Sequence, residues 1–207
     1  MSAGRGLRAR GGEVRGERRE GRASGGELLL RNRQRTRRVN LRLLKEIAQD
    51  LLTCDFPHRR LELGIHLVAA PEMIRLNEQF LSHAGSTDVI TFDHADSAGQ
   101  ASSPVRTNTV GPARGRQDAG PVLWGEIFIC LDDAVAQARR FRTTWQSEVA
   151  RYLIHGLLHL HGYDDRRPAA RLKMKREENR LLREVSRRFA LGRLARRPRL
   201  SKGKVQR

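Results

Sequence analysis

Hydrophobic residues recur along this chain with two different periods. Leu41, Leu44, Ile47, Ala48, Leu51 and Leu52 return every three or four positions, which predicts an amphipathic helix with Asn40 as its N-cap. Pro57 closes that region. Leu61, Leu63, Ile65 and Leu67 alternate with Glu62, Gly64 and His66, the pattern of a strand. Pro71 opens a second helix containing Met73, Ile74, Asn77 and Phe80. Short β-type runs follow at Val89 to Phe92 and Val122 to Cys130. Asp132 is the expected cap of a third helix, with Asp133 in its first turn. An apolar helix is expected from about Ser147 to His161, stopped by Gly162. Pro168 opens a last helix, whose core stripe reads as Leu172, Leu181, Leu182, Val185 and Phe189. Few strands among about five helices predict an α+β domain with a small sheet.

Charge divides the chain differently. Of 207 residues, 41 are Lys or Arg and 23 are Asp or Glu, a formal charge of +18. Residues 1–40 hold 12 Arg and 4 Glu, and residues 166–207 hold 17 basic residues and 3 Glu, whereas the middle is slightly acidic. Basic ends favour polyanions, RNA and DNA foremost, because binding releases counterions. Residues 1–26 offer almost nothing to bury, which predicts disorder. The expected organisation is a basic N-terminal tail over 1–36, a domain over 37–190 and a basic tail over 191–207. Within the domain, 94–121 lacks periodicity and reads as a mobile loop. No apolar run reaches the roughly twenty residues of a membrane span, so no membrane partner is expected. Cys54 and Cys130 fit a reducing, cytoplasmic setting. The first residues lack the apolar stretch of a secretory signal, and Glu13, Glu17 and Glu20 argue against a transit peptide.

The chemistry concentrates in one segment, His155-Gly156-Leu157-Leu158-His159-Leu160-His161-Gly162-Tyr163-Asp164-Asp165. Histidines four apart on a helix project from one face and can share a metal. Gly162 lets the chain reverse, and Asp165 then stands ten residues after His155. Ligands at 0, 4 and 10 with glycine at 7 follow the metzincin spacing. Two imidazoles and a carboxylate suit Zn²⁺ with one open position for water. His161 reads better as a helix-end residue than as a spare ligand. Asp164 reads as a residue orienting a ligand. A metzincin protease carries Glu directly after its first histidine, whereas this chain has Gly156, so a peptidase would lack its base.

Those residues resemble the YbeY family, endoribonucleases of ribosomal RNA maturation. The family signature HGxLHLxGYDH is matched over 155–165 except at its last position, where Asp165 replaces His. Leu76-Asn77-Glu78-Gln79-Phe80, Thr87-Asp88-Val89-Ile90-Thr91-Phe92 and Gly125-Glu126-Ile127-Phe128-Ile129-Cys130 are similar to three further blocks of the family. The resemblance covers roughly 37–190. It implies a mixed four-stranded sheet packed with the helices, a metzincin-like metal helix and one zinc per chain on His155, His159 and Asp165. Those residues would act through the metal-bound water. It further implies cleavage of single-stranded RNA at the 3′ end of 16S rRNA, with the small ribosomal subunit as partner and no small-molecule cofactor. One departure stands out. The family often places Arg after its LNxxY block, and this chain has Leu81, which cannot clamp a phosphate. His83 or a basic tail residue are the available substitutes. An RNA-binding factor with a structural metal and little catalysis is the alternative reading.

Overall fold

The computed structural model of the chain describes residues 26–58, 60–81, 84–95 and 122–196. All but the last residue of the expected disorder over 1–26, nearly all of the expected loop over 94–121 and the last eleven residues of the chain lie outside these. Among the described residues four strands, β1 (Glu27–Asn32), β2 (Arg60–Val68), β3 (Val89–Asp93) and β4 (Val122–Cys130), form one mixed sheet in the order β1-β2-β4-β3. β1 and β2, and β2 and β4, run parallel, while β3 is antiparallel to β4. Five helices among the described residues complete the α+β fold: α1 (Leu41–Cys54), α2 (Ala70–Leu81), α3 (Leu131–Phe141), α4 (Trp145–Leu160) and α5 (Pro168–Arg188).

The two faces of the sheet differ. Leu61, Leu63, Ile65 and Leu67 of β2 and Leu123, Ile127 and Ile129 of β4 form the main core with α1, α4 and α5. The opposite face carries Val68, Ile90, Phe92, Phe128 and Cys130, packed with Met73 of α2 in a smaller cluster. α1 buries Leu44, Ile47, Ala48, Leu51 and Leu52, the expected stripe, and Asn40 accepts from the Leu43 N–H at 3.3 Å.

Four local expectations change. The stretch read as a tail over 1–36 contains β1, whose Leu28 is buried while Glu27, Arg31 and Asn32 stay exposed. Its three leucines are consecutive and do not alternate with polar residues, so the two-residue period of a strand is absent from the sequence. The stretch read as a tail over 191–207 begins with a 3-10 turn, Leu191–Leu194, that buries Leu194. There the Asn40 N–H donates to the Leu194 carbonyl at 2.8 Å, tying this turn to the start of α1. Asp132 does not cap α3, whose N-cap position is Cys130. Its carboxylate instead accepts from the Ala70 N–H at 2.6 Å and the Thr36 hydroxyl at 2.6 Å, so it caps the start of α2 across space. Leu172 is 60 % exposed and leaves the α5 stripe, which is Met174, Glu178, Leu181, Leu182 and Val185.

Candidate metal centre

α4 is held deep. Thr144 caps it by accepting from the Ser147 N–H at 3.2 Å, and Val149, Leu153, Ile154, Leu157 and Leu158 are fully buried. Gly156 sits against β4 so closely that an added Cβ would lie 2.7 Å from Ile127 Cγ2. The position after the first histidine therefore has no room for a glutamate base. At the other end, Gly162 takes φ +79°, the left-handed conformation that ends a helix cheaply only at glycine. The Gly162 N–H donates to the His159 carbonyl at 2.9 Å, and the Tyr163 N–H to the Leu158 carbonyl at 3.0 Å. This reversal brings Asp165 back alongside the helix.

His155, His159 and Asp165 then each offer one ligand atom, and these atoms lie within 4.8 Å of one another. The Nε2 atoms of the two histidines are 3.0 Å apart, and His155 Nε2 is 3.9 Å from Asp165 Oδ2. Each Nδ1 is already engaged: His155 with Glu178 Oε2 at 3.1 Å, His159 with the Tyr163 carbonyl at 3.1 Å. Both partners only accept, so each Nδ1 must donate. Burial and the neighbouring His155 push the His159 pKa down, which keeps that ring neutral and its Nε2 unprotonated. Two imidazole nitrogens facing each other repel unless something positive lies between them. Their spacing approaches the ~3.3 Å that two nitrogens take at about 2.0–2.1 Å from one tetrahedral metal. The donor set fits a divalent cation.

Glu178 is the residue that motif spacing did not reveal. It lies on α5, twenty-three positions from His155, and is only 3 % exposed. Burial pushes its carboxyl up, but hydrogen bonds from His155, Lys175 and Arg151 outweigh that and hold it down at about 2. Arg151 Nη1 lies 2.5 Å and Lys175 Nζ 2.7 Å from its Oε1. An ionised carboxylate on Nδ1 fixes the ring and strengthens Nε2 as a ligand. One signal was available: Glu178 occupies a core position between Met174 and Leu181, where an unpaired carboxylate would be costly.

The remaining candidates separate. His161 stands at the α4 C-cap, its Nδ1 3.1 Å from the Leu157 carbonyl and its ring 4.5 Å from Phe56, so it is a helix-end residue outside the triad. Asp164 accepts from the Arg166 N–H at 3.1 Å and shapes the turn; no hydrogen bond joins it to either histidine among the described residues. Leu81 packs with Phe80 and Leu76 against the smaller core cluster. His83 lies outside the described residues.

Residues 29–186 match the family model described as Endoribonuclease YbeY. The chain belongs to the YbeY endoribonuclease family. An Endoribonuclease YbeY from Salinibacter ruber is 36% identical over 111 residues, covering 54% of this chain and 62% of that protein. Another from Chlorobium phaeovibrioides is 33% identical over 111 residues, covering 54% and 60%. The chain thus spans about three fifths of the length of these YbeY relatives. The solution structure of TM1509 from Thermotoga maritima matches 87% of this chain and all of that one, with a TM-score of 0.51 at 22% identity, a likeness of fold.

Proposed function

We propose that this protein is a zinc-dependent endoribonuclease that cleaves single-stranded RNA, with His155, His159 and Asp165 as the metal ligands. The observation that carries this reading is the convergence of their three ligand atoms within 4.8 Å, with both Nδ1 atoms held so that the Nε2 atoms face inward. Membership of a family of endoribonucleases supplies the substrate class. When bound, zinc would polarise a phosphoryl oxygen and lower the pKa of a coordinated water. The chain's own residues do the positioning. Glu178 orients His155, the Tyr163 carbonyl orients His159, and the Gly162 reversal delivers Asp165. The metzincin-like spacing of the ligands accords with this arrangement.

The biological step follows the family: processing of rRNA at the 16S 3′ end, in the cytoplasm, on the small ribosomal subunit. No helix among the described residues is long and apolar enough to cross a membrane. The test is cleavage of single-stranded RNA by the purified protein, by the chelated protein and by His159→Ala. Cleavage is expected from the first alone, and equal cleavage by all three would remove the metal from the mechanism.

A second reading, a ribosome-associated RNA-binding factor with a structural metal, draws on Leu81, which is packed into a core cluster and offers no charge to a phosphate. Tight rRNA binding without turnover, unchanged by loss of the metal ligands, would favour it.

A further inference from the structure

A pocket of about 160 Å³ opens beside the triad, lined by Arg151, Tyr152, His155, Asp165, Arg171 and Lys175 among others. Arg171 and Lys175 are one turn apart on α5 and share a face. Arg171 Nε donates to the Asp165 carbonyl at 2.8 Å, which anchors the guanidinium next to the third candidate ligand. That bond uses one N–H of the fork. No carboxylate pairs with Arg171 among the described residues. Lys175 is half exposed and reaches Glu178 at 2.7 Å. Each acidic group of the lining already has a partner, and Asp88 keeps its negative charge close to Tyr152. Glu178 is shared among Arg151, Lys175 and His155, Asp165 turns to the triad, and Asp88 accepts from the Val89 N–H at 3.1 Å.

An independent observation concerns Tyr152. It is 3 % exposed, and its hydroxyl is buried without a hydrogen-bond partner among the described residues. Buried hydroxyls in native proteins are almost always paired, with protein, water or ligand. Tyr152 is part of the pocket lining, so a ligand oxygen that reached its hydroxyl there would pair it.

We infer that this pocket is a phosphate subsite, in which Arg171 and Lys175, with the Tyr152 hydroxyl, hold a backbone phosphate of single-stranded nucleic acid next to the metal triad. It supplies from α5 the clamp that Leu81 cannot supply from α2. That the strand is RNA rests on the endoribonuclease reading above; the phosphate chemistry does not. Arg gives two N–H groups to two phosphate oxygens, and Lys gives a point charge.

The test uses the zinc-loaded full-length chain and a short fluorescent single-stranded oligodeoxynucleotide, a phosphodiester probe that a ribonuclease leaves uncut. Arg171→Gln with Lys175→Gln should weaken binding about tenfold and reduce the salt slope of log Kd by roughly 1. Arg183→Gln with Arg187→Gln, at the far end of the same helix, should change Kd less than twofold. All four side chains are exposed; because Lys175 also pairs with the buried Glu178, a thermal melt and the zinc content of each variant check that fold and triad are kept. Equal weakening by both pairs, or none by the near pair, would overturn the subsite. If the wild type meanwhile cleaves RNA, the endoribonuclease reading survives that result. A wild type that binds through Arg171 and Lys175 but cuts no RNA would uphold the subsite and overturn the enzyme.

Discussion

Two imidazole–carboxylate pairs sit on opposite faces of the same sheet, and they use opposite ring nitrogens. On the α4 side, Glu178 takes His155 Nδ1 at 3.1 Å, and Nε2 is left pointing at a second histidine. On the α2 side, Glu126 takes His66 Nε2 at 3.0 Å, and Nδ1 is buried without a partner among the described residues. The His66 ring stacks on Phe128, with centroids 4.5 Å apart. Burial lowers the His66 pKa, against the pull of Glu126. The second oxygen of Glu126 is 3.5 Å from His94 Nε2. The residue types are the same, so composition does not separate the pairs. A metal ligand needs its outer nitrogen free and its inner one fixed. His155 meets both conditions, whereas His66 spends its outer nitrogen on the carboxylate.

Removing the inner carboxylate should do the most damage. Glu178→Ala removes the closest counter-charge of the part-buried Arg151, which keeps Glu148 at 3.4 Å, and is expected to cost about 3 kcal/mol in denaturant unfolding. It should also weaken zinc about 10–100-fold in chelator competition. A variant with wild-type affinity would erase the contrast between the two pairs. The same carboxylate sets an acid limit. Its pKa is depressed from an ordinary 4.5 to about 2, so the stability it adds is present above about 4.5 and disappears as pH falls towards 2. The stability gap between wild type and Glu178→Gln should therefore be on the order of 3 kcal/mol at neutral pH and close in acid. A gap that stays constant from pH 5 to pH 2 would show that ionised Glu178 is not its source.

Gly156→Ala probes how deeply the α4 histidines are seated. The added methyl meets Ile127, and a loss of about 1–3 kcal/mol is expected in thermal melts. The smallest effect belongs to the other face. Glu126→Ala, at a side chain 40% exposed, should cost about 1 kcal/mol and leave zinc stoichiometry unchanged by elemental analysis. Loss of zinc from that variant would mean that the two faces are coupled.

The elements that sequence reading located share one property. Helix α1, strand β2 and the triad with its Gly162 reversal each rest on contacts within a short window, where period and spacing report directly on geometry. The elements it misplaced depend on distant partners. Asp132 looks like a local cap, but its acceptor oxygens serve Ala70 and Thr36. β1 carries three consecutive leucines that do not alternate with polar residues, so no two-residue period registers until β2 lies beside it. Leu172 fits the helical period of α5 yet falls on an exposed face among the described residues.

The eleven residues from His155 to Asp165 determined by themselves which three side chains can meet, because a helix and one glycine turn fix their directions. Tertiary packing alone decided which nitrogen of each histidine faces the others. That choice depends on a carboxylate from another helix, and on whether burial leaves the ring any other acceptor, and neither is written in the spacing of the motif.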